Sequence, residues 1–225
     1  MMRELETLVT IETAMICTPV GALTVALRDG AACAIGFDEQ WPALLAVIER
    51  RFARVARLRW CEAPHRDACS RIVRYFDGDL AALDGVRVDA DGTPFQRAVW
   101  SELRAIAPGA TLSYAALARA VGAPRAIRAI GRANAQNPVS LVVPCHRVIA
   151  SDGTLRGYAG GLARKAWLLD HERAHERDAH APISSFASTS PTALPSQTIA
   201  CSASSSGRRA TPRSRAKRHA VAIAG

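Results

Sequence analysis

Cys145 and His146 stand side by side in Val142-Val143-Pro144-Cys145-His146-Arg147-Val148-Ile149, and a thiol next to an imidazole is a candidate nucleophile with its base. The thiolate is the reactive form, and nearby cations lower a thiol's pKa toward it, which makes the flanking Arg147 relevant. A buried structural cysteine in an apolar stretch fits the same residues and is the commoner fate of cysteine. In an extended segment neighbouring side chains point to opposite sides, so the pair would communicate through a bridging water. A histidine base also needs its second ring nitrogen held, and Glu172, in Leu168-Leu169-Asp170-His171-Glu172, is the carboxylate for that task. On its own such a glutamate is more often a helix surface residue. A cysteine hydrolase would use the same pair, with an oxyanion site and repeated turnover.

The elements that position these residues read mainly as helices after residue 92. Phe95, Val99, Leu103 and Ile106 recur at helical steps, with Thr93 as N-cap before Pro94 and Pro108-Gly109 as the stop. Ser113 caps a short helix to Val121, Gly122-Ala123-Pro124 turns, and a second helix runs from Arg125 to about Ala135. Ile127 and Ile130 are expected to face its core, and Ala126, Ala129 and Ala133 to form a strip of small side chains. A helix, a tight turn and a helix suit a DNA reader, although an ordinary helical hairpin is the commoner use of the pattern.

Before residue 92 the pattern differs. Between Thr10 and Phe37, short apolar stretches alternate with turn signals at Pro19-Val20-Gly21 and Asp29-Gly30, which predicts an antiparallel meander. Trp41 to Val55 is helical in spacing, and Arg71 to Phe76 is expected to begin another helix. Asp and Gly are dense from Gly78 to Gly92, which places a domain boundary near residue 91.

Charge changes sign at the same place. Residues 1–91 hold 11 basic against 14 acidic residues, residues 92–179 hold 12 against 6, and residues 180–225 hold 6 against none, for a formal net charge of +9. The basic middle segment suits an acidic partner, although a solvated arginine face has the same composition. The segment from 180 to 225 is rich in Ser, Ala, Pro, Thr and Arg without periodicity, the composition of a disordered basic tail. The six cysteines have irregular spacing with no CxxC pair, so no structural metal and no cofactor are expected. Met1 to Thr10 lacks a signal peptide's apolar core and no run reaches spanning length, which reads as cytoplasmic with no membrane partner.

From Gly92 to Glu172 the chain resembles the O6-alkylguanine-DNA alkyltransferases, also called methylated-DNA-protein-cysteine methyltransferases. The resemblance rests on Gly92-Thr93-Pro94-Phe95-Gln96, Val99-Trp100, Ser113-Tyr114, Leu117-Ala118, Arg128-Ala129-Ile130-Gly131, Asn137-Pro138, Pro144-Cys145-His146-Arg147-Val148, Gly157-Tyr158-Ala159-Gly160-Gly161 and Leu168-Leu169, in that order. It implies that Cys145 accepts an alkyl group from O6-alkylguanine, with O4-alkylthymine a poorer substrate, and is consumed once. His146 would act through water, Glu172 would orient it, and Tyr114 would supply a hydroxyl to the departing base.

By the same resemblance Arg128 fills the gap left by a flipped nucleotide, while Ala129, with Ser113 and Arg125, lies at the DNA surface. Asn137 would be a structural hinge, and Val148, Tyr158 and Ala159 would line the base pocket. The implied architecture is a ribonuclease-H-like α/β domain with an antiparallel sheet, then a winged helix-turn-helix domain, acting as a monomer on double-stranded DNA. A damage sensor that binds without repairing is the rival, and Cys145 argues against it.

Overall fold

The computed structural model describes residues 9–52, 56–60 and 66–179, so the expected basic tail lies outside the described residues. All described residues belong to one compact unit. The predicted meander forms: β1 (Val9–Thr18), β2 (Gly21–Arg28) and β3 (Ala31–Phe37) pair antiparallel in sequence order. Asp29 and Gly30 close the second hairpin with φ of 49° and 73°, the positive values a tight hairpin turn demands.

The sheet is mixed, not purely antiparallel as the sequence suggested. β4 (Ala56–Trp60) lies parallel to β1 at the far edge, giving the order β3-β2-β1-β4. Parallel neighbours need a crossover connection, and α1 (Trp41–Arg51) supplies it between β3 and β4. The second helix, α2 (Arg66–Phe76), begins five residues before the expected Arg71.

The sheet buries both faces. On one, Leu44, Ile48 and Phe52 cover Ile11, Ala26, Cys33 and Ala34. On the other, Leu23, Val25, Leu27, Ile35 and Phe37 meet Ile72 and Tyr75 of α2, and this core continues unbroken into Val99, Leu103, Leu117, Ile130, Val143 and Leu168. An irregularity in the β2–β3 register lets Cys33 and Ala34 both serve the first face.

The outer edge of β3 is not left open. Ala32 exchanges backbone hydrogen bonds with Arg87 and Asp89, and Ile35 with Pro138 and Ser140. An exposed strand edge invites association, and here the segment that precedes Cys145 covers it.

Beyond residue 92, α3 (Pro94–Arg104) starts as its sequence dictates: Thr93 and Gln96 form a reciprocal capping box, with Pro94 in the first turn. β5 (Leu112–Ser113) leads into α4 (Tyr114–Ala120), whose first turn is capped by Ser113 accepting from the Ala116 N–H. α5 (Ile127–Ala135) begins two residues later than expected. The chain then runs through a 3-10 turn at Cys145–Arg147 into β6 (Val148–Ile149), which pairs parallel with β5. The last helix, α6 (Leu162–Ala179), lies across the back of this turn and carries Glu172.

Candidate active site

The cysteine segment is not the extended strand its composition suggested. Leu141 is buried with φ of 75°, a left-handed conformation that a branched residue adopts at a cost of about 1–3 kcal/mol. This reverses the chain so that Pro144 enters a 3-10 turn with Cys145, His146 and Arg147 all buried. Asn137 fixes the turn from three sides. Its Nδ2 donates to the Val143 carbonyl at 2.8 Å and to Cys145 Sγ at 3.2 Å, and its Oδ1 accepts from the Val139 N–H at 3.0 Å.

His146 and Glu172 meet in full burial, with His146 Nε2 2.9 Å from Glu172 Oε1. The same carboxylate accepts from Arg147 Nε and Nη2 at 2.8–3.2 Å, from the Tyr75 hydroxyl at 2.8 Å and from the Gly109 N–H at 3.1 Å. Burial alone would raise Glu172's pKa, but the hydrogen bonds from His146 and Arg147 and the charge of Arg147 outweigh it and hold the carboxyl far below the usual range. The other imidazole nitrogen, His146 Nδ1, is buried and has no protein partner among the described residues.

Arg147 therefore does not serve the thiol. Its guanidinium is used by Glu172 and by the Ile106 carbonyl at 2.5 Å, because the 3-10 turn swings it away from Cys145. The cation whose charge the sulfur feels is Lys165, buried on α6 with its Nζ donating to the carbonyls of Val148 at 2.6 Å and Arg156 at 2.7 Å. Burial pushes the Cys145 thiol up, and Asn137 and Lys165 offset only part of that. Burial pushes the His146 pKa down despite Glu172. The pair rests as neutral thiol and neutral imidazole.

Around the sulfur, Val148 is fully buried and Tyr158 presents its ring to His146 with centroids 6.4 Å apart. The Tyr158 hydroxyl is buried without a partner among the described residues. Tyr114 opens α4 with its hydroxyl 3.3 Å from the Gly157 carbonyl, and burial raises its pKa, followed by the nearby Cys145. Gly157 has φ of +53° and a Cβ there would stand 3.3 Å from that hydroxyl; at Gly160 a Cβ would crowd Phe37 and Tyr158. Ala159 is exposed at the loop's outer side.

Arg125, Arg128 and Ala129 are exposed together on the turn and first turn of α5, with Ser113 buried partway at the start of α4. Ile127 is 46% exposed and not in the core as expected, because the helix starts late and rotates it outward beside Arg128. The alanine strip divides. Ala129 faces outward, whereas Ala133 is buried and its carbonyl accepts from Trp100 Nε1 at 2.9 Å.

A groove of about 990 Å³ lies between α1 and the Gly92–Gln96 and Gln136–Pro138 segments. It touches Asn137 and Ala159 but its lining does not include Cys145, so it adjoins the thiol site without being it. Among the described residues no His/Cys/Asp/Glu cluster suits a metal, and no helix is long and apolar enough to cross a membrane.

A family model described as 6-O-methylguanine DNA methyltransferase, DNA binding domain, matches residues 94–174. A methylated-DNA-protein-cysteine methyltransferase of Mycolicibacterium paratuberculosis is 41% identical over 169 residues, covering 73% of this chain and 94% of that protein. The chain belongs to the methylated-DNA-protein-cysteine methyltransferase family. A Salmonella typhimurium member is 55% identical over 102 residues, a match covering 45% of this chain and 60% of that protein's length.

Among solved members, the Mycobacterium tuberculosis O6-methylguanine methyltransferase aligns with a TM-score of 0.61 and 34% identity, covering 73% of this chain and 94% of that one. That protein has also been solved in complex with DNA. The Pyrococcus kodakaraensis O6-methylguanine-DNA methyltransferase, 23% identical with a TM-score of 0.54, shares the fold.

Of the candidate residues read from the sequence, Cys145, His146, Glu172, Asn137, Tyr114, Val148 and Tyr158 lie together, whereas Arg125, Arg128 and Ala129 are exposed on α5 and the turn before it. Sequence reading missed Lys165 and Tyr75. Lys165, Leu168 and Glu172 share one face of α6 at steps of three and four, and Ala68, Ile72 and Tyr75 do so on α2, so helical spacing held the signal.

Proposed function

We propose that this chain repairs DNA by moving a methyl or other alkyl group from O6-alkylguanine in duplex DNA onto Cys145, irreversibly and once per molecule. The observation that carries the reading is the buried arrangement in which Glu172 holds His146 Nε2 while His146 Nδ1 has no protein partner. A water relays the thiol proton to Nδ1 as the sulfur attacks the alkyl carbon in line. The new sulfur–carbon bond forms as the carbon–O6 bond breaks, and the base leaves with the electron pair. The Tyr114 hydroxyl protonates the departing base and recovers its proton from protonated His146 through solvent. The products are S-alkylcysteine and guanine. A thioether is a poor leaving group, so turnover stops there.

The same reading takes residues 92–179 as a winged helix-turn-helix, preceded by a ribonuclease-H-like α/β domain over 1–91, in a cytoplasmic monomer. The buried sulfur cannot reach a base inside the stack, so the nucleotide must be flipped, at a cost of roughly a few kcal/mol. Arg128 then occupies the space it leaves, with Ala129, Ser113 and Arg125 against the backbone and minor groove. Val148, Tyr158 and Ala159 hold the base, and O4-alkylthymine is a poorer substrate.

Peptide mass spectrometry after incubation with excess O6-methylguanine duplex tests this. One methyl per molecule, on the Cys145 peptide and absent in Cys145→Ala, is the expected result. Tight binding with no adduct would mean a damage sensor, and product exceeding protein would mean a turnover hydrolase or transferase.

A further inference from the structure

Tyr75 is a fully buried phenol that the alkyl-transfer scheme leaves without a task. It lies on α2, 97 residues from Glu172, yet its hydroxyl donates to Glu172 Oε1 at 2.8 Å, the same oxygen that holds His146. Its ring is wedged edge-on between Phe76 and His171, with centroids 5.2 Å and 5.3 Å away. Its carbonyl accepts from His171 Nε2 at 2.8 Å, so α2 and α6 are pinned to each other at two points flanking the carboxylate. Any buried phenol needs a partner, but this one takes the carboxylate oxygen that already holds His146, and a phenol fixed this firmly sets the direction of the lone pair it meets.

We infer that Tyr75 is a positioning residue of the alkyl-transfer site, acting through Glu172 on the basicity and orientation of His146. The inference rests on the proposed function. His146 faces Glu172 and Lys165 from α6, Arg147 and Cys145 from its own turn, and Tyr158 from the glycine loop. Among these the carboxylate is the anion that draws a proton onto the imidazole. The Tyr75 O–H places the positive end of its dipole against that carboxylate and weakens the draw, keeping His146 neutral and able to accept the thiol proton. Removing the hydroxyl strengthens the draw and favours the imidazolium.

The test compares the full chain with Tyr75→Phe, with fluorinated tyrosine at position 75, and with Ile72→Val as a packing control on the same face of α2. Single-turnover methyl transfer from a duplex is followed against pH, and the His146 ring is titrated by NMR without DNA. In Tyr75→Phe, transfer should slow by about tenfold, the equivalent of one hydrogen bond to a charged group. Both the acid limb and the His146 titration should move to higher pH. Fluorinated tyrosine, a stronger donor of nearly the same shape, should move the titration to lower pH even if Tyr75→Phe fails to fold. Ile72→Val should lower Tm alone. A His146 titration indifferent to both changes at Tyr75 would make it a packing residue and overturn the inference. If the wild-type chain takes up no methyl, the functional reading fails, while the titration still decides the role of Tyr75.

Discussion

At Cys145 the sulfur is a thiol at rest, because burial raises its pKa more than Asn137 and Lys165 lower it. Its reactivity must come from proton removal during attack, and His146, kept neutral by burial, is ready to accept. The transfer rate should therefore be flat from about pH 7 to 8.5, since neither partner changes state there. Single-turnover kinetics that instead climb tenfold per pH unit would show that a thiolate forms beforehand. Asn137 carries a second prediction at this scale. Its side chain satisfies the Val139 N–H, the Val143 carbonyl and the sulfur together, all in a buried site. Asn137→Ala should cost on the order of 2 kcal/mol in urea unfolding, since the buried Val139 N–H loses its partner while the Val143 carbonyl keeps the Cys145 N–H. A loss below about 1 kcal/mol would mean that the turn is held by Leu141 and Pro144 alone.

Among the elements, α5 divides into an exposed face with Arg128 and Ala129 and a buried face with Ile130 and Ala133. Arg128→Ala should thus slow repair of duplex DNA more than reaction with free O6-alkylguanine, because only the duplex needs a gap filled. Equal slowing on both substrates would remove Arg128 from flipping. The starts of α3 and α4 were legible, since Thr93, Pro94, Gln96 and Ser113 signal them locally, and Ser113→Ala should cost about 1 kcal/mol. The cysteine turn was not legible: the run Val142 to Ile149 looks like a strand, and Leu141's left-handed backbone is imposed by tertiary packing. Ile127 misled for a related reason, as periodicity gives a face but not which residue begins the helix. Glu172 reads as the histidine's partner with an exposed helix face as the alternative, and its spacing from Lys165 and Leu168 on the buried side of α6 decides between them.

In the whole molecule, one core runs from the sheet through α3, α5 and α6, and β3 is completed by the Pro138–Ser140 segment. The meander was readable from Asp29-Gly30 and its flanking strands. β4 was not, because its place beside β1 depends on a crossover that no local pattern encodes. The Tyr75–Glu172 bond was hidden by its separation in sequence. This shared burial of titratable groups fixes how stability should vary with pH. Glu172's folded pKa lies below its ordinary 4.5 and His146's below its ordinary 6.5. In both, the unfolded chain binds protons first on acidification, so stability is lost as pH falls below 6.5 and again below 4.5. Cys33 behaves oppositely: burial raises its thiol from 9.0 to about 11. The unfolded chain loses that proton first, so its contribution is full below pH 9 and declines above it, by up to about 3 kcal/mol. Urea midpoints should accordingly form a plateau between about pH 6.5 and 9. Cys33→Ala should make the alkaline fall shallower while leaving the acid side unchanged, the remaining fall belonging to the buried Cys145 and the half-buried Cys69 thiols. An alkaline fall of undiminished steepness in that variant would assign it to groups other than Cys33.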